Sequence, residues 1–248
     1  MLEAAGWGLL GASSLLIGAL IGTTRAIPHQ ALGLILGFGA GTLFSAVAFE
    51  LTEDAYNLGG ADAVALGLAV GALAFFAGDQ AIRRRGAENR MSPHKRRQDS
   101  PPQGADSASA LLLGAVLDGI PESAVIGISV LAGAGVSVAV LAAVFISNLP
   151  EAIASSAGMH KERIATRHIL LIWTVVVLVS GAAAALGYGL LQGASDNTVA
   201  LIEAFAGGAV LTMLVDVMIP EAQKEGGLAV GLATVLGFAL AYLLSTLE

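Results

Sequence analysis

The chain contains no cysteine. That excludes a disulfide framework, thiolate metal sites and a cysteine nucleophile. Charge is the second shortage. Asp, Glu, Lys and Arg make up 12% of the 248 residues, where a soluble domain carries about 25%. So few charges cannot cover a water-facing surface. Two further motifs are missing from the sequence. It has no glycine-rich phosphate loop ending in Lys and Ser or Thr, and no His-Glu-x-x-His zinc-protease pattern. The net charge is −7, and the basic residues are not arranged as a groove, so no nucleic-acid partner is expected. The opening MLEAAGWGLL lacks the positive region of a cleavable signal. It reads as the outer end of a retained helix, with Trp7 as an interfacial anchor.

What the chain does have is apolar residues, 56% of the total with a mean hydropathy of +0.79, and 32 glycines. Small residues let membrane helices approach closely, where packing drives association. Apolar segments fall at residues 6–24, 31–51, 61–82, 109–130, 135–159, 167–190, 197–219 and 227–247. Each is near the ~20 residues needed to cross the hydrocarbon. The expected fold is an all-α integral membrane bundle of eight transmembrane helices, one domain over residues 1–248.

Residues 83–108 interrupt the apolar pattern. They hold Arg83, Arg84, Arg85, Arg90, Lys95, Arg96 and Arg97, then Pro101, Pro102 and Gly104. Such a composition cannot bury enough apolar surface to fold alone and reads as a flexible basic loop. Placing it in the cytoplasm and alternating sides puts Arg25, Lys161, Arg163, Arg167 and Lys224 inside too. Glu53, Asp54, Asp62 and Asp196 then fall outside. This satisfies the positive-inside rule with both termini extracytoplasmic. The expected location is the cell (inner) membrane, multi-pass, with the lipid bilayer as partner.

Two internal repeats appear. Residues 39–55, GAGTLFSAVAFELTEDA, resemble residues 206–222, AGGAVLTMLVDVMIPEA. They lie in the second and seventh helices, which would cross in opposite directions. That is the pattern of an inverted repeat, here arranged 3+2+3; Gly- and Ala-rich helices also look alike by chance. The second repeat pairs residues 117–124, LDGIPESA, with residues 146–152, ISNLPEA. Matched proline-interrupted spans point to a transporter site.

Asp118 and Glu122 are spaced i, i+4 and share a helix face, as do Ser147 and Glu151. Asn148 stands beside Ser147. Pro121 and Pro150 cannot donate to the carbonyls of Leu117 and Ile146. Those oxygens become available to a cation or water. An ionised carboxylate at mid-bilayer costs at least ~2.5–3.5 kcal/mol, and several close together also repel. A divalent cation removes both penalties, and these carboxylate, amide and hydroxyl oxygens suit one. Protonated glutamates at simple kinks, or proton carriage in place of metal, are the alternatives.

At these residues the sequence resembles the ZIP (Zrt-, Irt-like protein) family of divalent metal transporters. The resemblance covers the eight helices, the outside termini, the long loop after the third helix and the two Pro-Glu motifs. The family's fourth-helix motif, His-Asn-x-Pro-Glu-Gly, stands here as Asp118-Gly119-Ile120-Pro121-Glu122-Ser123. The fifth-helix motif, His-x-x-Pro-Glu, stands as Ser147-Asn148-Leu149-Pro150-Glu151. The resemblance implies a primary metal site of Asp118, Glu122, Ser147 and Glu151, and a second using Asn148 with the two glutamates. Both His positions are replaced, Gly119 stands for Asn, and the sixth helix offers no Glu within its span. An all-oxygen set leans toward Mn, Mg or Ca-like ions, whereas the family favours Zn or another first-row metal such as Fe, Mn or Co, with Cd also a candidate. The metal is substrate, not cofactor, and the expected activity is transport toward the cytoplasm, with no enzyme chemistry. The family also implies a homodimer, and a movement of helices one, four, five and six against two, three, seven and eight.

Other polar residues read less sharply. Glu50, Glu53 and Asp54 fit an outer cation entrance or a solvated helix end. Glu203 and Asp216 lie within the seventh helix, and each fits a path or a pairing with a neighbouring helix. Glu221 follows Pro220. His160 and His168 read as interfacial, His94 as an inert loop residue, and His29 has no context. The competing functions are a proton or small-cation transporter on the same carboxylates, and an intramembrane aspartyl-type enzyme built on Asp118 and Asp216.

Overall fold

The computed structural model describes residues 1–25, 27–84, 119, 122–130 and 137–246. Asp118, Ile120, Pro121, His94 and residues 85–108 of the basic segment lie outside the described residues. Within them all regular structure is helical and there is no strand. The elements are α1 (Leu2–Thr24), α2 (His29–Ala46), a π turn (Val47–Leu51) and α3 (Thr52–Arg84). Then come α4 (residues 122–130), α5 (Val138–Lys161), α6 (Thr166–Leu191) and α7 (Asp196–Met213). A second π turn (Leu214–Met218), α8 (Ile219–Gly226), a 3-10 turn (Gly227–Ala229) and α9 (Val230–Ser245) complete the chain.

Five helical stretches are long and apolar enough to cross a membrane: Leu2–Thr24, His29–Ala81, Val138–Lys161, Thr166–Leu191 and Asp196–Ser245. This is a membrane protein. Hydroxyls inside the apolar helices are satisfied locally, as a bilayer requires. Thr23 donates to Ala19, Thr42 to Gly39, Thr212 to Gly208 and Thr234 to Val230.

Two of the five stretches are 53 and 50 residues long. As straight rods they would measure about 75–80 Å, far more than the ~30 Å hydrocarbon core. Neither is straight. Gly60 has φ 72° and ψ −175°, and Gly227 has φ 68° and ψ −150°, a left-handed backbone that only glycine adopts without strain. Helix directions reverse at both. Before Gly60 the chain runs antiparallel to α7, with Gly207 against Val47 and Leu51, and Gly59 against Ala200. After Gly60 it runs parallel, with Gly67 against Ala204 and Gly208 against Leu68. At the other turn, Gly39 meets Met218 and Gly33 meets Gly226, antiparallel. Past Gly227, α9 runs parallel to α2, with Gly37 against Val230 and Gly41 against Thr234.

The two long stretches copy one another element by element. Helix starts at His29 and Asp196, π turns at Val47 and Leu214, the next helices at Thr52 and Ile219, and the positive-φ glycines at 60 and 227 all share one offset. It is the same offset that relates residues 39–55 to 206–222. In each π turn the backbone N–H of the following residue reaches back five positions, Thr52 to Val47 and Ile219 to Leu214. The Thr52 hydroxyl also donates to the Val47 carbonyl, at 2.7 Å. Pro220, without an N–H, cannot continue α-type bonding to Asp216.

The copies are interlocked. α2 packs on α9, and α7 packs on the later part of α3. α1 lies between α5, to which it is parallel, and α6, to which it is antiparallel. Gly11, Gly18 and Gly22 of α1 meet Val144, Ala152 and Ala157 of α5 in order, while Gly8 meets Ala184 and Gly189 meets Met1. Consequently Arg25, Lys161 with Arg163, and the Lys224 turn all gather at one end of the bundle. Gly59, Asp62 and Asp196 mark the other end.

Candidate functional site

Pro150 lies inside α5, which stays helical from Val138 to Lys161. Ser147 and Asn148 precede it and are buried, and Glu151 follows, half-buried. The Ser147 hydroxyl donates to Val144 at 3.0 Å, which leaves its oxygen lone pairs facing away from that bond. Two elements close on this stretch through glycines. A Cβ on Gly39 of α2 would lie 2.9 Å from the Cα of Ser147 and 3.4 Å from the Ile146 carbonyl. That carbonyl is the one the missing proline N–H leaves free. The same point is 3.4 Å from the Met218 methyl, on the second π turn. From the opposite side Gly18 of α1 abuts the Leu149 carbonyl, with Ala152 at 2.8 Å from its notional Cβ. α2 therefore lies directly on Ser147, and the second π turn meets α2 at the same glycine through Met218.

Glu122 begins the described part of α4. It is 3% exposed, and Ser123 beside it is equally buried. α4 is tied to α5 through α1: Gly11 faces Ile126 of α4, and Leu141 and Val144 of α5. Val125 and Ile126 join Val140, Val144 and Ile153 in the same apolar core. Close crossings at Gly127 and Gly187 fix α4 against α6.

Of the five expected site residues, Glu122, Ser147, Asn148 and Glu151 lie on two neighbouring elements inside the bundle. Asp118 lies outside the described residues. Among the described residues no group of three or more His, Asp or Glu side chains is placed to hold a metal ion. The oxygens that the described residues could offer a cation here are those of the two glutamates and of neutral groups: Ser147, Asn148 and the Ile146 carbonyl. Such a donor set suits a hard or borderline ion.

The remaining acids and histidines separate clearly. Asp216 is exposed on the second π turn and Glu50 half-buried on the first. His29, without context in the sequence, pairs through Nδ1 with Glu225, and Lys224 lies 3.5 Å from Glu221. The His29–Glu225 pair joins the start of α2 to the end of α8, and the Lys224–Glu221 pair lies within α8. His160 and His168 are exposed. Trp173 of α6 donates to Ser156 of α5 at 2.7 Å in a buried bond. The two π turns are features that sequence reasoning missed. One extra residue in a helical turn leaves no periodicity to read, although the Gly-Gly pairs at 59–60 and 226–227 do mark the matched turns. No family model and no curated protein matches the chain.

Proposed function

We propose that the chain carries divalent metal cations across a membrane toward the cytoplasm, through the carboxylates of α4 and α5. The observation that carries this reading is Glu122. It is a buried carboxylate inside an apolar helical bundle, on the element next to the helix that buries Ser147 and Asn148 just before Pro150. Acids within a membrane segment are expensive and are functional by default. A visiting cation supplies the compensation that lipid cannot. The ligand set is Asp118, Glu122, Ser147, Asn148 and Glu151. The metal is Zn or another first-row divalent ion, with Mn-like ions favoured by the all-oxygen chemistry. The resemblance to the ZIP family points the same way.

The architecture read with this function has eight spans, both termini outside, and an inverted 3+2+3 repeat. Reversals at Gly60 and Gly227 support it, since they divide each long stretch into two membrane lengths. The antiparallel α1–α6 pair supports inversion, as does the gathering of Arg25, Lys161, Arg163 and Lys224 at one end. With no native cysteine, sidedness is directly testable. Ser195→Cys should react with a membrane-impermeant maleimide from outside, and Lys161→Cys only after permeabilisation.

The function is tested in proteoliposomes with radioactive Zn, Cd and Mn. Glu122→Gln and Glu151→Gln should each lower uptake by at least about tenfold, equivalent to ~1.4 kcal/mol of lost ion binding, with thermal unfolding unchanged. Uptake that survives in Glu122→Gln would end the assignment. Uptake that requires a pH gradient and no metal would favour a proton transporter.

A further inference from the structure

Glu203 lies outside the proposed metal path, on α7, two turns from the helix start. It is 5% exposed, and its Oε2 accepts no hydrogen bond among the described residues. Its neighbours along the same face fix where it looks. Gly207, one turn on, faces Val47 and Leu51, and Ala200, one turn back, faces Gly59. Glu203 is therefore level with residues 51–55, where the first π turn passes into α3. Between Val47 and Gly60 the charged groups are Glu50, Glu53 and Asp54, all acidic. Asp54 stands within this stretch and is exposed, while Ala55 beside it is fully buried.

The internal repeat supplies a control. At the offset that matches every helix start, π turn and turn glycine, Glu203 corresponds to Leu36, which is fully buried. An aliphatic residue therefore satisfies the packing at this place in the fold, so the acid is not there to fill space. Asp54 corresponds to Glu221, which has Lys224 at 3.5 Å. One copy holds an acid with a lysine beside it; the other holds Asp54 in the stretch level with the buried Glu203. An ionised carboxylate so buried, lacking a hydrogen bond at one oxygen and beside a like charge, is strongly disfavoured.

We propose that Glu203 and Asp54 form a proton-binding carboxyl pair, in which the buried Glu203 holds one proton taken from water and the exposed Asp54 connects it to solvent. The pair is separate from the α4–α5 carboxylates. Protonation forms an O–H bond on a Glu203 carboxylate oxygen, and water or hydronium supplies the proton. No other reactant is needed.

The test is infrared difference spectroscopy on the full chain in lipid nanodiscs, titrated in pH with and without Cd or Zn. Wild type should show a protonated-carboxyl band that disappears at high pH. Glu203→Gln should remove one carboxyl group's intensity from that band, and Glu203→Leu, which copies Leu36, should do the same while remaining folded. Asp54→Asn should shift the position of the band and leave its intensity. Loss of metal uptake in Glu122→Gln should leave it untouched, so the two proposals fail separately. A band unchanged in Glu203→Gln would overturn the proposal. So would loss of the Glu203-dependent part of the wild-type band on adding Cd or Zn at constant pH, since the site would then hold a cation.

Discussion

Gly39→Ala tests whether α2 is seated directly on the proline break. The added methyl would sit 2.9 Å from the Ser147 Cα and 3.4 Å from the Ile146 carbonyl. Carbon atoms prefer about 3.5–4.0 Å, so α2 and α5 must separate by roughly 0.6–1 Å. The neighbour is backbone and cannot rotate away. Overpacking of this kind costs about 1–3 kcal/mol. At about 2–4 °C per kcal/mol for a chain of this size, melting should fall by about 2–12 °C. The functional cost should be larger than that stability loss suggests, because the shift falls on Ser147 and on the carbonyl freed by Pro150. The proper comparison is Gly231→Ala in α9, where an added methyl meets nothing within 4 Å. Both variants, purified in detergent, are followed by thermal unfolding and by calorimetric metal titration. Gly39→Ala should lose stability and weaken metal binding by about tenfold or more, ~1.4 kcal/mol, while Gly231→Ala should change neither. If Gly39→Ala binds metal and melts like Gly231→Ala, α2 does not form a wall of the site, and the geometry argued above is wrong.

Other outcomes follow from the same contacts. Gly41→Ala and Gly208→Ala occupy equivalent crossings in the two copies: each added methyl would strike the partner's carbonyl, Thr234 or Leu68, with a further backbone atom at 2.8 Å. Their melting temperatures should fall by similar amounts, each corresponding to about 1–3 kcal/mol; a loss in one alone would show that the copies are not packed alike. Ser156→Ala leaves the buried Trp173 N–H without its acceptor and should cost about 1–3 kcal/mol, read by chemical denaturation, whereas Trp173→Phe should lose packing without stranding a donor. His29→Ala removes an exposed pair with Glu225 and should alter stability by no more than about 1 kcal/mol, a difference that added salt should shrink further.

How much of this was legible beforehand depends on the physics of each feature. Membrane segments were readable because hydropathy over ~20 residues is a sum, and sums tolerate local errors. The expected segments at 6–24, 135–159 and 167–190 fall within a few residues of α1, α5 and α6. The expected breaks after 51 and 219 were misplaced. Helix continues through each π turn to Gly60 and Gly227, since polar residues such as Glu53, Asp54, Glu221 and Lys224 do not stop a helix once its end leaves the apolar layer. The Pro-Glu motifs read as breaks, yet α5 stays helical through Pro150, from Val138 to Lys161. What no pattern could show was Gly39 lying over Ser147, or Glu203 lying level with residues 51–55. Those depend on helix rotation and on which helix pairs with which, and both are properties of the assembled bundle. Among more than thirty glycines, sequence alone cannot tell the few that another helix touches from the many that lipid touches.

The exchange of partners between copies has a consequence for assembly. Each copy's middle helix packs on the other copy's last helix: α2 on α9, and α7 on the later part of α3. These contacts depend on glycines brought against backbone, Gly41 under Thr234 and Gly208 under Leu68. In hydrocarbon such faces have no hydrophobic drive to close on anything else, so their stability comes from fitting one partner. Residues 1–84 alone would hold α2 and α3 without α9 and α7, and residues 137–248 would hold the reverse. Cutting the chain between residues 85 and 108 should therefore leave two fragments that are each degraded or aggregated when expressed singly, yet co-purify and regain the intact protein's melting temperature when expressed together. A fragment of residues 1–84 that is monodisperse and as stable alone as in the pair would refute the exchange, because its two glycine faces would then have found partners within one copy.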